Sequence, residues 1–204
     1  MVRPNCPRTP RPNRRRRMDD QQPRAGSLLV ASVLLADGVF NQSVVLLLDT
    51  DADGALGVIL NEISETSLAS VLPDWLPAVS GPQYLFHGGP VSPNGAICLA
   101  SVADLAEDPP GWRRMFSRVG LLHLDTPIEI VRGAYRDLRI FAGYAGWSPG
   151  QLEQEIDEGM WHVLPATYSD VFSAEPLDLW RTVLRRQTDS LRFFSTWVED
   201  PELN

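Results

Sequence analysis

Gly143-Tyr144-Ala145-Gly146-Trp147-Ser148-Pro149-Gly150-Gln151-Leu152-Glu153-Gln154-Glu155 is the densest run of geometry-demanding residues in this chain. Ahead of it, Leu138-Arg139-Ile140-Phe141-Ala142 reads as a strand. Behind it, a helix begins with clear punctuation. Ser148 is placed to cap it, Pro149 suits the first helical position, and Gln151 stands three residues after the cap, the spacing of a capping box. Gly159 supplies a stop. The stretch therefore predicts a strand, a tight glycine turn carrying two aromatics, and a helix.

Working outward, strands outnumber helices. Leu28 to Leu35, Ser43 to Leu48 and Ala55 to Asn61 read as strands, and the unbroken apolar run Val44-Val45-Leu46-Leu47-Leu48 suits one buried on both faces. Asp51-Ala52-Asp53-Gly54 is a hairpin turn. Ser67 to Leu72 reads as a helix ended by Pro73. Tyr84-Leu85-Phe86 and Ala96 to Ser101 are strands around Gly88-Gly89-Pro90-Val91, with a second turn at Asn94-Gly95. Asp108 to Gly111 is a break and Leu121 to Leu124 a strand. Thr126 to Val131 is short and fits either helix or strand. Trp161 to Leu164 reads as strand, Leu177 to Arg186 as helix, and Leu191 to Val198 as a short terminal helix. Many neighbours are joined by short turns. This predicts an α+β fold, a mostly antiparallel, curled sheet with helices packed outside.

The Gly143 to Glu155 stretch resembles the signature of the YqgE/AlgH family of bacterial proteins. Gly57-Val58-Ile59-Leu60-Asn61, Gly88-Gly89-Pro90-Val91 and Leu179-Trp180 resemble further family pieces in the same order, so the resemblance runs from about Gly26 to Thr188. It implies an α+β fold with a barrel-like sheet. It implies no defined activity, although part of the family's name comes from a proposed role in regulating gene expression. One departure stands out. The family follows the Asn with a basic residue and Pro, whereas Glu62-Ile63 stands here, a reversal of charge.

The 204 residues predict one domain over residues 26–204, preceded by a basic tail over residues 1–25. The tail is rich in Pro, Arg, Asn and Gln and lacks the apolar surface to fold, so disorder is expected of it. Met18 would also make a sensible start of translation. All 18 basic residues are Arg, and eight of them precede residue 25. That leaves 10 Arg against 24 acids in the body, a net of −14, which repels phosphate backbones and argues against nucleic acid as its partner. Arg14 to Arg17 form a run of the kind that binds nucleic acid or anionic lipid, or that is simply solvated. Those arginines and the apolar run Leu28 to Ala36 stand in the order of a signal peptide, but Asp19 to Arg24 intervene and Asp37-Gly38 follows in turn style. The run is also too short to span a membrane. The two cysteines, Cys6 and Cys98, suggest no disulfide framework, and a reducing, cytoplasmic location is expected.

Several constellations resemble catalytic or metal sites and fail on inspection. Gly146-Trp147-Ser148-Pro149-Gly150 matches G-x-S-x-G between a strand and a helix, the setting of a nucleophile elbow. The oxyanion hole there needs the backbone N–H of the residue after the serine, and Pro149 has none. His162 is the only later histidine and follows too closely. Asp49-Thr50-Asp51-Ala52-Asp53-Gly54 opens like a calcium loop, but its twelfth position is Leu60 where a bidentate Glu is required, and its flanks read as strands. Glu153, Glu155, Asp157 and Glu158 crowd one helix without a histidine at ligand spacing, which suggests a solvated acidic face opposite Leu152 and Ile156. His87, His123 and His162 share no motif.

What remains is a candidate binding cleft at the signature. Gly143 and Gly146 leave backbone exposed, Tyr144 and Trp147 are placed to line a pocket or to pack beneath the turn with Trp161, the helix beginning at Pro149 offers free N–H groups, and Gln151 and Glu155 lie on that helix. Gly88 and Gly89 either admit a ligand close to the backbone or form a tight sheet turn. No catalytic set, cofactor or metal is expected. The expected function is a cytoplasmic binding or regulatory protein acting through a protein or small-molecule partner. The alternative is an enzyme, hydrolytic or metal-dependent, whose site assembles near the signature.

Overall fold

The computed structural model describes residues 22–35 and 38–197. The sequence features before residue 22, among them Arg14 to Arg17, Met18 and Cys6, lie outside the described residues, as do Asp37 of the predicted turn and Val198 of the predicted terminal helix.

The chain begins with β1 (Ser27–Ala31), β2 (Val44–Asp51), β3 (Gly54–Ile59) and β4 (Ile63–Ser67), followed by a single helical turn, α1 (Leu68–Val71). Then come β5 (Tyr84–His87), β6 (Val91–Val102), β7 (Trp112–Phe116) and β8 (Val119–Leu122), and a second single turn, α2 (Ile128–Val131). The long β9 (Tyr135–Trp147) leads into α3 (Gln151–Asp157), β10 (Trp161–Pro165), α4 (Tyr168–Val171) and α5 (Leu179–Arg185). Tighter 3-10 turns occupy Pro73–Ala78, Pro176–Asp178 and Ser190–Thr196. The strands form one curled sheet in the order β10-β1-β2-β3-β9-β6-β8-β7, with β5 beside β9 and β4 beside β5. Every pairing is antiparallel except β5 with β9. The α+β class with a mostly antiparallel, curled sheet is as expected.

β2 shows why its apolar run is continuous. Val44, Leu46 and Leu48 enter the core beneath α5, which contributes Leu179, Trp180, Val183 and Leu184. Val45 and Leu47 enter a second core on the opposite face with Leu152 of α3 and Trp161 of β10. Alternation across a strand, combined with helices on both faces, demands apolar residues at every position. The indole N–H of Trp180 donates to the Ala31 carbonyl at 2.8 Å, fixing α5 to β1.

β9 joins the two halves of the sheet. Along one edge it pairs with β6 from Tyr135 to Tyr144. On its other edge it pairs with β5 at Phe141 and Ala142, then with β3 from Ala145 to Trp147. This corrects the expected glycine turn: the strand does not end at Ala142 but runs on to Trp147. Gly143, at φ 71°, bends it instead, and a Cβ there would lie 2.5 Å from the Gly89 carbonyl oxygen. Asn94-Gly95 likewise is no separate turn. It lies in an irregularity within β6, between the pairs Val91↔Tyr144 and Ala96↔Ala142, and Ser92 takes φ 48°. β4 and β7 have no counterpart in the sequence reading, because their polar, charged residues lack an apolar alternation. β1 ends at Ala31, earlier than expected, and Thr126 to Val131 resolves as the helical turn α2.

Candidate functional site

The turn from β9 to α3 is Ser148-Pro149-Gly150, and Gly150, at φ 76°, is the N-cap. The expected side-chain cap from Ser148 is therefore not formed, and Pro149 lies ahead of the helix, not at its first position. The expected capping box is not formed either, because the helix starts two residues later than expected; a tight turn ahead of it links the same two residues. The Ser148 backbone N–H donates to Oε1 of Gln151 at 3.0 Å, and the Gln151 N–H donates back to the Ser148 carbonyl at 3.0 Å. The helix ends as predicted at Gly159, φ 78°. Gly159 N–H donates to the Ile156 carbonyl and Met160 N–H to the Glu155 carbonyl, the paired bonds of a Schellman motif.

Glu155 gathers the signature together. Its Oε2 accepts the indole N–H of Trp147 and that of Trp161, each at 2.8 Å, while Oε1 accepts the Gln151 amide at 2.9 Å. The two indoles meet edge to face at 6.0 Å, with Phe40 against both. Glu155 is thus not part of a solvated acidic face: one turn beyond Gln151 it faces β9 and β10 and serves two tryptophan donors. Trp147 is 6% exposed and Leu152 1%. Burying Leu152 contributes about 2 kcal/mol to holding α3 on the sheet.

Gly88 and Gly89 lie against this same part of β9. A Cβ on Gly88 would fall 2.2 Å from the Gly143 carbonyl oxygen, and one on Gly89 2.3 Å from the Tyr144 carbonyl carbon. The space left by these glycines is occupied by the backbone of β9. Asn61 also clips backbone: Oδ1 accepts the Val44 N–H at 2.8 Å and Nδ2 donates to the Gln42 carbonyl at 3.0 Å. Glu62, where the resemblance leads one to expect a basic residue, lines a pocket of 250 Å³ with Asn61 and Ser43.

Beside the signature lies an open cleft of 550 Å³. The β2–β3 hairpin supplies Asp49, Asp51 and Asp53, and the end of β9 supplies Tyr144, Gly146 and Trp147, followed by Ser148 and Pro149. Pairing of Ala55 with Trp147 and Leu56 with Gly146 sets these walls. The approach is tight enough that a Cβ on Gly54 would meet the Trp147 carbonyl oxygen at 2.1 Å. Asp49 Oδ1 accepts the Thr50 N–H and Asp51 Oδ1 the Asp53 N–H, so two of the three carboxylates order the hairpin tip. Among the described residues no three His, Cys, Asp or Glu side chains converge as metal ligands would. Ser148 borders the cleft, but His162 does not. It stacks on Phe194 at 6.4 Å, where burial lowers its pKa from the ordinary histidine value against a weaker opposing pull from Asp189.

One buried charge escaped the sequence reading. Arg139 of β9 is 1% exposed and lies over the Phe86 ring at 4.4 Å. It donates to the carbonyls of Val171 (2.8 Å), Ser173 (2.8 Å) and Gly81 (3.3 Å). Burial pushes its pKa down to about 10. The available signal was a lone arginine inside the apolar run Leu138 to Phe141. Cys98 is buried, and burial raises its thiol pKa.

Comparison with known proteins places this geometry in context. A family model described as AlgH-like matches residues 28–192. A UPF0301 protein of Thermobifida fusca is 48% identical over 188 residues, covering 88% of this chain and 94% of that protein. A UPF0301 protein of Mycobacterium tuberculosis is 42% identical over 187 residues, covering 90% and 92%. Among solved structures, protein DIP2367 of Corynebacterium diphtheriae superimposes with a TM-score of 0.81 at 34% identity, over 86% of this chain and 93% of that one. The AlgH protein of Pseudomonas aeruginosa gives 0.64 at 24% identity, over 86% and 95%, and shares the fold.

Proposed function

Because the chain belongs to the AlgH-like family, we propose that it is a non-catalytic binding or regulatory protein that meets its partner, a protein or a small molecule, at the cleft between the β2–β3 hairpin and the end of β9. One observation carries this reading. The polar groups of the signature bond to one another, Ser148 N–H to Gln151, Gln151 to Glu155, and Glu155 to Trp147 and Trp161. They hold α3 in place, while Tyr144, the exposed backbone at Gly146 and the three aspartates face the cleft. Pro149 brings no N–H to Ser148, so the serine lacks the donor an acyl transfer needs. The acidic lining favours a cationic group on the partner. Within this reading Tyr144 and Gly146 contact the partner, Trp147, Gln151 and Glu155 position them, and Gly88 and Gly89 allow the scaffold beneath to close.

The same reading is of a cytoplasmic protein, in keeping with a sequence whose two cysteines suggest no disulfide framework. Among the described residues no helix is long and apolar enough to cross a membrane. A regulatory role through direct DNA contact finds no support in the acidic body, so regulation would pass through a protein or small-molecule partner. The experiment is affinity capture from lysate on the wild-type chain and on a cleft variant, Tyr144→Ala with Asp51→Asn. Partners held by the first and lost from the second support the cleft. Turnover of a captured small molecule would replace this reading with an enzymatic one.

A further inference from the structure

β10 is an outer strand of the sheet, paired with β1 alone. The parity of that pairing is fixed at both ends. Ser32 N–H donates to the Met160 carbonyl at 2.9 Å and Ala166 N–H to the Gly26 carbonyl at 3.4 Å, both continuing the register from Ser27↔Pro165 to Ala31↔Trp161. In an antiparallel ladder alternate residues bond to the partner strand, and those between turn their N–H and C=O to the other side. His162 and Leu164 therefore face β1, and Trp161, Val163 and Pro165 face outward. Among the described residues nothing bonds to the outward backbone groups of Trp161 and Val163. Pro165 has no N–H, and its carbonyl accepts from Arg186 at 3.4 Å.

This edge lies in a groove of 410 Å³. One wall is Ile156, Asp157 and Gly159 at the end of α3, on the side of the sheet where Val163 packs with Trp161. The other is Asp189 and Leu191, on the side where Leu164 packs with Phe194. The opposite outer strand, β7, is guarded differently. His123 N–H bonds to the Gly111 carbonyl, so Trp112 and Arg114 face outward. Trp112 N–H is taken by the Pro109 carbonyl, and Arg114 pairs with Asp108. A charged side chain is a usual guard of an exposed edge, and β10 carries no Arg, Lys, Asp or Glu of its own.

The walls indicate what the edge would accept. Each carries one carboxylate, Asp157 on one side and Asp189 on the other; the lining holds no Arg or Lys, His162 lies on the Asp189 side, and one oxygen of Asp189 accepts the Leu191 N–H. An added strand points successive side chains to opposite faces. Adjacent arginines on such a strand would therefore meet both carboxylates. The chain holds a run of that kind, Arg14 to Arg17, and it enters the described fold at the end of this groove, where Gly26 bonds to Ala166 just past β10. The described chain starts at Gln22, and the five steps from there back to Arg17 reach about 17 Å when extended, about the length of β10 at 16 Å.

We propose that the groove along the outer edge of β10 is a strand-docking site, and that its occupant is the chain's own arginine run, Arg14 to Arg17, laid against Trp161 and Val163 as an added strand. The bonds would come from the outward backbone groups and the selectivity from Asp157 and Asp189. The test is amide hydrogen exchange of the full-length chain, followed by mass spectrometry in fragments covering Trp161 to Pro165. Wild type is compared with the variant Arg14→Gln, Arg15→Gln, Arg16→Gln, Arg17→Gln, which alters none of the described residues, and with Asp157→Asn plus Asp189→Asn. The expected result is exchange about tenfold slower in wild type than in either variant, unchanged on dilution of the protein. Equal exchange in wild type and the arginine variant would overturn the proposal. So would protection that falls on dilution, because a second copy would then fill the groove. If the aspartate variant proves unstable by thermal melting, the arginine variant decides alone.

Discussion

The indole N–H groups of Trp147 on β9 and Trp161 on β10 converge on a single carboxylate oxygen, Oε2 of Glu155, each at 2.8 Å. These strands are not neighbours in the sheet; β1, β2 and β3 lie between them. Glu155 therefore bridges an outer strand and an internal strand of a curved sheet from one turn of α3, and the most recognisable stretch of the chain acts first as a clamp.

Removing the clamp has a defined cost. Glu155→Ala leaves two indole donors in apolar surroundings without an acceptor, and should destabilise the fold by about 3 kcal/mol. Glu155→Gln retains one acceptor oxygen and should lose about half as much. Urea denaturation measures both, and tryptophan fluorescence of the folded alanine variant should shift if the indoles move.

Glycine positions separate two effects. At Gly88 the obstacle is space, since the Gly143 carbonyl oxygen would lie 2.2 Å from a new Cβ. At Gly150 nothing stands within 4 Å, and only φ 76° resists. Gly88→Ala should therefore cost at least about 2 kcal/mol through overpacking. Gly150→Ala should cost about 1 kcal/mol through left-handed strain alone. Thermal melts of the two variants side by side check the ranking.

Asp170 is 2% exposed and accepts from both Nη atoms of Arg186, and from the N–H and hydroxyl of Thr167 at the start of α4. Arg186→Ala should destabilise by about 2 kcal/mol, because it leaves a buried carboxylate without its cation. Adding Asp170→Asn to that variant should recover part of the loss, since the charge is removed while an acceptor for Thr167 remains. A double-mutant cycle in denaturant reads the coupling.

His162 gives the fold a pH dependence of known sign. Burial holds its folded pKa below the ordinary histidine value, the opposing influence of Asp189 being smaller. Between the folded and the unfolded pKa the unfolded chain binds the extra proton, so stability falls as pH drops from about 7 through the unfolded value near 6.5. The fall ends once the folded pKa is passed. His162→Gln should flatten this part of the melting-temperature profile and leave the profile above pH 7 unchanged.

Much of the architecture was legible in local pattern. The buried run of β2, the Asp51 to Gly54 hairpin and the stop at Gly159 each follow from period or backbone freedom. The continuation of β9 through Gly143 was not legible, because its cause is the passage of Gly88 and Gly89 across the strand, a contact between distant segments. The same limit hid the acidic wall of the cleft. Asp49, Asp51 and Asp53 are a polar hairpin tip in sequence, and only the Ala55↔Trp147 pairing brings them beside Ser148. Arg139 was concealed differently, since its partners are carbonyls, which no residue type announces.

On the proposed reading the cleft binds and Ser148 does not react. Ser148 Oγ makes no hydrogen bond among the described residues, so Ser148→Ala should leave stability within about 0.5 kcal/mol of wild type. The most direct measurement is quantitative affinity capture of the same partner by wild type, by Ser148→Ala, and by Asp49→Asn, Asp51→Asn, Asp53→Asn combined. Retention unchanged by Ser148→Ala and lost with the aspartate variant is the result this account predicts. Retention that survives the aspartate variant, or stoichiometric labelling of Ser148 by a fluorophosphonate, would contradict it.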